Sequence, residues 1–413
     1  MSDLASAPKG SRLRIVFLGR RNVGKSSLIN ALTRQETSLV SATAGTTTDP
    51  VEKHMELKGI GPVVIVDTAG TDDEGELGLA RVGRTKRELA RADVVVLVCE
   101  QGAWGDEERK LCDIAASRSL PLVIAFSKAD LADGQEDAGA PDLPERAQIV
   151  SVSSTEKRGI DDLAAAIVRA SGQRAAAPEH VVSHLVPYQG LAVLVTPIDS
   201  AAPTGRLILP QVQAIRDLLD GHCSALVVQT DDLAAALARL DGHPDIVVTD
   251  SQAFAEVDAI VPPEVPMTSF SILFARLKGD LTELVAGAGA LATLKPGDRV
   301  LISEACTHRS TCEDIGTVKI PRLLEKKLCP GLVVEHSQGV DFPDDLSDFK
   351  LVIHCGSCML NRAAMLSRMQ FCKEAGVPIT NYGMTVAHAL GILPRALQPI
   401  EGALEAYEQA MGA

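Results

Sequence analysis

Residues 19–26, GRRNVGKS, fit the pattern G-x-x-x-x-G-K-[ST], between the apolar run LRIVFL (13–18) and a helix-like segment. That setting makes the pattern a phosphate loop. Gly19 and Gly24 let the backbone N–H groups of the loop, including those of Arg21, Asn22, Val23 and Ser27, curl around phosphates. Lys25 reaches the terminal phosphates, Ser26 ligates Mg²⁺, and the helix N-terminus adds positive dipole.

Four more pieces follow in the order a GTPase needs. AGTTTD (44–49) places Thr47 to close over the γ-phosphate and Mg²⁺. DTAG (67–70) puts Asp67 in the Mg²⁺ shell and the Gly70 N–H at the γ-phosphate. In SKAD (127–130), Asp130 accepts the two N–H donors of guanine and Lys128 lays its stem along the base. SVSS (151–154) brings backbone N–H groups near Ser153 and Ser154 to the guanine carbonyl. Two departures are visible. Thr71 stands where a Ras-like switch has its water-positioning Gln, so hydrolysis is expected to be slow, with Glu74 and Glu76 as alternative orienting groups. Ser127 stands where Asn is usual in the base-recognition motif.

A second kind of chemistry appears near the other end. CTH (306–308) and HCGSC (354–358) give Cys-x-His, 45 residues, then His-Cys-x-x-Cys. Both pieces lie just past strand-like runs, where open α/β sheets gather ligands. Cys355 and Cys358 can chelate one centre, with Gly356 expected to free the turn, and Cys306 adds a third thiolate. Three soft ligands with His308 and His354 as further candidates suit either a structural zinc or an iron–sulfur centre. Cys99 and Cys372 are expected in the core; Cys112, Cys223, Cys312 and Cys329 have no chelating spacing.

The elements that must position these groups alternate between strand and helix, predicting an α/β protein: a P-loop GTPase domain followed by two smaller α/β domains. Strands are expected at 13–18, 62–68, 93–99, 121–127 and 147–153 in the first unit, 1–170. A small, polar, Pro-containing stretch over 171–183 reads as a linker. A second unit, 184–264, repeats the alternation without a cluster of reactive residues, as an interaction domain would. The Pro-rich VDAIVPPEVPMTSFS marks a boundary to a third unit, 265–413.

GRRNVGKSSLINAL, AGTTTD and DTAG resemble GTPases of the Era and tRNA-modification branch. That resemblance implies that Asn22 helps hold a K⁺ ion that stimulates hydrolysis. The whole chain, through CTH…HCGSC, PIDSAAPTGRLILPQVQAIRDLLD and MLNRAAMLSRMQFCKEAGVPITNYG, looks like the FeFe-hydrogenase maturation GTPases. That family implies a scaffold whose middle domain dimerises, giving a homodimer or a higher oligomer. It implies a 4Fe–4S cluster on Cys306, Cys355 and Cys358, with an exchangeable fourth corner for which His308 and His354 are candidates. It also implies a diiron precursor carried to apo FeFe-hydrogenase, and radical-SAM maturases as partners.

Composition narrows the alternatives. A net charge of −14 and the lack of a basic, aromatic-interleaved stretch count against nucleic-acid binding, and so against a GTPase with a structural zinc domain acting on RNA or ribosomes. The absence of a His-rich tract counts against nickel or zinc insertion. No apolar run approaches a bilayer span, so no membrane partner is expected. MSDLASAPKGSRLR has no apolar core, and the expected compartment is the cytoplasm, where nine cysteines point to metal or catalysis rather than disulfides.

Overall fold

The computed structural model describes residues 12–33, 51–68, 70, 85, 87–131, 143–172, 180–198, 205, 207–240, 244–305, 314–339, 342–343 and 345–412. The chain forms two compact units, Met1–Ala176 and Ala177–Ala413.

The first unit is built on a six-stranded sheet. Its strands are β1 (Leu13–Leu18), β2 (Val51–Leu57), β3 (Gly61–Asp67), β4 (Val94–Glu100), β5 (Leu122–Ser127) and β6 (Gln148–Ser151), in the order β2-β3-β1-β4-β5-β6. All neighbours are parallel except β2 and β3. The central strands are apolar on both faces because helices cover both. Ile15 and Phe17 of β1 join one buried cluster, Val16 and Leu18 the other. Helices α1 (Lys25–Thr33), α2 (Asp106–Ser117) and α3 (Ile160–Ser171) are described here. Strand β2, VEKHMEL, was not anticipated from its sequence. It is an edge strand with three charged residues, mostly solvent-facing, and lacks the buried apolar run that marks the others.

The second unit holds two four-stranded parallel sheets. One contains β7 (Leu191–Val195), β8 (Ser224–Val228), β9 (Ile246–Thr249) and β10 (Met267–Ser269), in the order β10-β9-β7-β8. The other contains β11 (Arg299–Glu304), β12 (Val333–Gln338), β13 (Leu351–His354) and β14 (Ile379–Asn381), in the order β12-β11-β13-β14. The helices between them are α4 (Leu209–Asp220), α5 (Leu233–Arg239), α6 (Phe254–Ile260), α7 (Phe270–Lys278) and α8 (Leu281–Gly289). After them come α9 (Ile320–Leu323, flanked by wide helical turns), α10 (Arg362–Glu374), α11 (Tyr382–Ala389), α12 (Leu393–Leu397) and α13 (Ala403–Gly412). One continuous apolar core runs beneath both sheets. Each fully buried Val, Leu, Ile or Phe in it contributes about 1.5–3 kcal/mol.

Two expected boundaries move. The break at 264/265 falls ahead of β10, which hydrogen-bonds to β9, so the Pro-rich connector joins α6 to β10 inside the middle sheet's domain. The linker expected to run to residue 183 ends earlier. Val181 and Val182 are buried, and Asp217 of α4 accepts the N–H groups of Val182 and Ser183 at 2.7 Å each.

Candidate functional site

The nucleotide site is assembled at the C-terminal ends of β1, β3, β5 and β6, three of them near the middle of the sheet. The phosphate loop bends through left-handed backbone at Gly19 (φ 144°), Asn22 (φ 62°) and Gly24 (φ 92°). Gly19 is required twice over, since a Cβ there would sit 2.2 Å from the Val98 carbonyl oxygen. Asn22 is exposed, and asparagine tolerates its conformation. Arg21 and Ser27 are exposed on either side. Lys25 is buried, its Nζ donating to the carbonyls of Gly19 (2.8 Å) and Arg20 (2.6 Å), so the ammonium lies against the loop.

Ser26 and Asp67 come together. The Ser26 hydroxyl donates to Asp67 Oδ2 at 2.5 Å. Asp67 Oδ1 is buried without a hydrogen-bond partner among the described residues. Burial pushes the Asp67 carboxyl above its ordinary range, against the pull of Ser26, Lys25 and Lys53. A hydroxyl beside a carboxylate with a buried, unpaired oxygen suits a hard, oxygen-seeking cation such as Mg²⁺. Gly70 is half-buried beyond β3. Thr47, Thr71, Glu74 and Glu76 lie outside the described residues.

The base-recognition residues also converge. Ser127, buried at the end of β5, donates to the Val23 carbonyl at 2.7 Å and so ties this loop to the phosphate loop. Serine is short enough to make that bond across the sheet edge. Lys128 takes φ 57° and pairs with Glu100 at 2.8 Å. The Ser153 hydroxyl and the residue's own N–H hold the Asp130 carboxyl below its usual range. The Ser153 hydroxyl also accepts the Glu156 N–H, and Ser154 is half-buried beside it.

In the second unit, β13 pairs with β11 so that His354 faces Ser303. The Cys355 N–H donates to the Ser303 carbonyl at 2.9 Å, and the Ala305 N–H donates to Cys355 Sγ at 3.1 Å. Ala305 precedes Cys306; Cys306 and His308 lie outside the described residues. Among the described residues no group of three metal-ligating side chains is assembled. Cys355 and Cys358 are nonetheless set apart. Both are partly exposed, whereas Cys99, Cys112, Cys223, Cys329 and Cys372 are buried. Burial pushes the thiols of Cys99, Cys112 and Cys372 up to about 12, as expected of core residues. A partly exposed Cys-x-x-Cys pair with a backbone N–H already aimed at one sulfur suits a soft-metal centre.

One expectation about this loop changes. The left-handed residue is Ser357 (φ 55°), not Gly356. The Ser357 hydroxyl lies 3.1 Å from His354 Nδ1 and donates to the Cys355 carbonyl at 3.3 Å. A Cβ on Gly356 would meet nothing. Both ring nitrogens of His354, a candidate fourth ligand, lie within hydrogen-bond distance of protein groups. Its ring is fully buried; Nε2 lies 2.7 Å from Arg368 Nη1, and Nδ1 lies 2.8 Å from the Cys355 carbonyl. A guanidinium only donates, so Nε2 accepts and the Nδ1–H donates. Burial and the Arg368 charge push this histidine's pKa down to about 3.

Three residues of the loop's surroundings were missed. Arg368 occupies the buried stripe of α10, with Met365, Met369 and Cys372, and its guanidinium also donates to the Gly339 carbonyl and stacks on Phe342. A charge on an apolar stripe was the available signal. Arg362, at the start of α10, donates to the carbonyls of Arg276, Leu277 and Gly279 at the end of α7. Lys278 of α7 is buried and donates to the Leu360 carbonyl at 3.1 Å. Their sequence positions look like ordinary helix ends.

Comparison with known proteins follows this division. Residues 14–128 match a family described as 50S ribosome-binding GTPase. The tRNA modification GTPase MnmE of Synechococcus sp. (strain JA-2-3B'a(2-13)) is 39% identical over 173 residues, 40% of this chain and 36% of that protein. The MnmE of Parasynechococcus marenigrum is 40% identical over 167 residues, 39% of this chain and 34% of that protein. The chain thus spans about a third of these curated relatives. An Era variant of Aquifex aeolicus bound to GDP.AlF4- aligns with a TM-score of 0.33 at 21% identity, over 41% of this chain and 63% of that one. The G domain of the T. maritima FeoB iron transporter aligns with a TM-score of 0.29 at 22% identity, over 39% and 99%. Among the described residues no helix is long and apolar enough to cross a membrane. Residues 181–279 match the hydrogen maturase F dimerization domain and residues 282–399 its tetramerization domain, dividing the second unit just after α7. With these two domains covering more than half of the chain behind a P-loop GTPase domain, the protein belongs to the hydrogen maturase F family, GTPases of hydrogenase maturation that carry oligomerisation domains.

Proposed function

We propose that the chain hydrolyses GTP slowly, with K⁺ stimulation, and serves as a scaffold that carries a diiron precursor to apo FeFe-hydrogenase. Cys306, Cys355 and Cys358 hold a 4Fe–4S cluster. When bound, the cluster supplies an anionic iron centre with one exchangeable corner, filled by His308, another weak side-chain ligand or solvent, where the precursor attaches. The observation that carries this reading is the partial exposure of Cys355 and Cys358 among buried cysteines, just past the C-terminal end of an interior strand in a chain of this family. The Ala305 N–H aimed at Cys355 Sγ supports it, since hydrogen bonds to cluster sulfurs are a usual tuning element. Ser26, Asp67 and Thr47 hold Mg²⁺, and Asn22 holds K⁺. The partners are radical-SAM maturases and apo FeFe-hydrogenase, the working form is a homodimer or higher oligomer, and the compartment is the cytoplasm.

The test is anaerobic reconstitution with iron and sulfide, followed by iron analysis and EPR of the reduced protein. About four irons per chain and a reduced-cluster signal are expected. A colourless protein holding one tight Zn²⁺ and refusing iron would overturn the reading in favour of a structural zinc domain. For the nucleotide half, hydrolysis rates in KCl and NaCl are compared; equal rates would remove K⁺ from Asn22.

A further inference from the structure

Lys278 has an environment that its place at a helix end does not explain. A lysine in the last turn normally points at its own helix's terminal carbonyls. Here Arg362 supplies those carbonyls, at 3.2, 3.0 and 2.7 Å. Lys278 instead turns across to the cysteine loop, donating to Leu360 O two residues beyond Cys358. It is only 6% exposed. It lines one small pocket together with Cys355, Gly356 and Ser357, against Phe274 and Met365. The buried Asn381 lines it too, so this is a partly polar pocket in which a buried ammonium is placed beside the thiols.

Cys355 lines the same pocket and Cys358 lies two residues before Leu360, so thiolates gathered on this loop would bring negative charge to the ammonium. Three thiolates and a cluster would supply much more. The contact also crosses a family boundary, because Lys278 lies in the dimerization domain and the loop in the tetramerization domain.

We propose that Lys278 is the charge-compensating residue of the iron–sulfur site, contributed to the cysteine loop by the last helix of the dimerization domain. This rests on the cluster reading above. A fixed positive charge beside a cluster stabilises its reduced, more negative state and raises its potential. The site is then electrostatically complete only while α7 is docked on the loop, so a displacement of α7 alters the cluster's potential without touching a ligand.

The experiment is a reductive titration of the reconstituted full chain, followed by EPR, for the wild type and for Lys278→Gln, Lys278→Met and Lys278→Arg. Gln removes the charge and keeps an N–H donor, on a stem one atom shorter. Expected are equal iron contents, a cluster at least about tenfold harder to reduce in the Gln and Met variants (about 59 mV more negative for one electron), and a near-wild-type potential in the Arg variant. An unchanged potential in Lys278→Gln at full iron content overturns the proposal while the cluster reading stands. Loss of iron uptake in the Arg and Gln variants alike also overturns it, showing that Lys278 packs the loop rather than balances charge. A wild-type chain that takes up no cluster overturns both. Should Lys278→Met misfold, the Gln variant gives the same readout.

Discussion

The nucleotide site and the cysteine loop sit at comparable places, at the ends of parallel strands, but they are held in different ways. The nucleotide site is held by its own loops. Lys25 bonds back to Gly19 and Arg20 within its own motif, while Ser26 bonds to Asp67, Ser127 to Val23 and Asp130 to Ser153, tying one motif to another. The cysteine loop has its own bond from the Ser357 hydroxyl to the Cys355 carbonyl, but much of its support comes from outside. Arg368 fixes His354, and Lys278 and α7 brace the far end of the loop. A motif-locked site changes when a motif residue changes. A shell-locked site changes when a distant helix changes, and this suits a centre whose properties must respond to the rest of the molecule.

The largest test of the contrast is a double dissociation. Lys25→Ala is expected to lower GTP hydrolysis by at least about 100-fold, because the cation facing the developing phosphate charge is gone, while iron uptake stays intact. Cys355→Ala or Cys358→Ala is expected to abolish iron uptake while leaving hydrolysis intact. Parallel phosphate-release and iron assays decide it; one substitution removing both properties in a folded chain would show that the sites are not separate. Next in size is Gly19→Ala. Its Cβ meets the Val98 carbonyl at 2.2 Å at a positive φ, so the first unit should lose about 3–5 kcal/mol. Calorimetry should show one transition falling and the other unmoved.

The same contrast explains what the sequence made legible. Gly19, Lys25, Asp67 and Asp130 carry their roles in local spacing, because backbone loops at strand ends have few solutions for holding a phosphate or a purine. The buried strands were legible as apolar runs; β2 was not, because an edge strand has one face in water and little apolar demand. At the cysteine loop the two thiols were legible and the shell was not. Lys278 lies 80 residues before Cys358 and is brought to the loop only by the docking of α7, while Arg362 and Arg368 lie just four and ten residues past it, on a helix whose sequence does not show which way they turn. The surroundings of His354 were hidden in the same way. Beside a Cys-x-x-Cys it reads as a ligand candidate, and its hydrogen-bond partner Arg368, fourteen residues on along α10, is seen only in the structure.

Arg368→Met sharpens the shell-locked half. It removes the donors to His354 Nε2 and Gly339 O and leaves both acceptors buried. A loss of about 2–4 kcal/mol in the second unit is expected from denaturant titration. Because the loop's support is lost but no ligand, metal affinity should fall by about 10–100-fold rather than vanish. Affinity unchanged at reduced stability would mean that the loop's geometry is set elsewhere.

The smallest effect is in the motif-locked half, and its sign is the informative part. Burial raises the Asp67 carboxyl above its usual range. The folded chain therefore holds that proton more tightly than the unfolded chain does, and stability declines as pH climbs past the unfolded value near 3.8. Asp67→Asn removes that penalty. Without nucleotide at neutral pH the variant should melt modestly higher than the wild type, and its stability should fall less as pH rises from 4 upward. With Mg²⁺ and GDP the order should reverse. The wild type gains RT ln(1 + [L]/Kd) from the bound ligand, and the variant, lacking the anionic oxygen that the cation needs, gains much less. Melting curves with and without Mg²⁺–GDP give both comparisons at once. A variant melting below the wild type in both conditions would mean that Asp67 supports the fold through Ser26 more than it burdens it by burial.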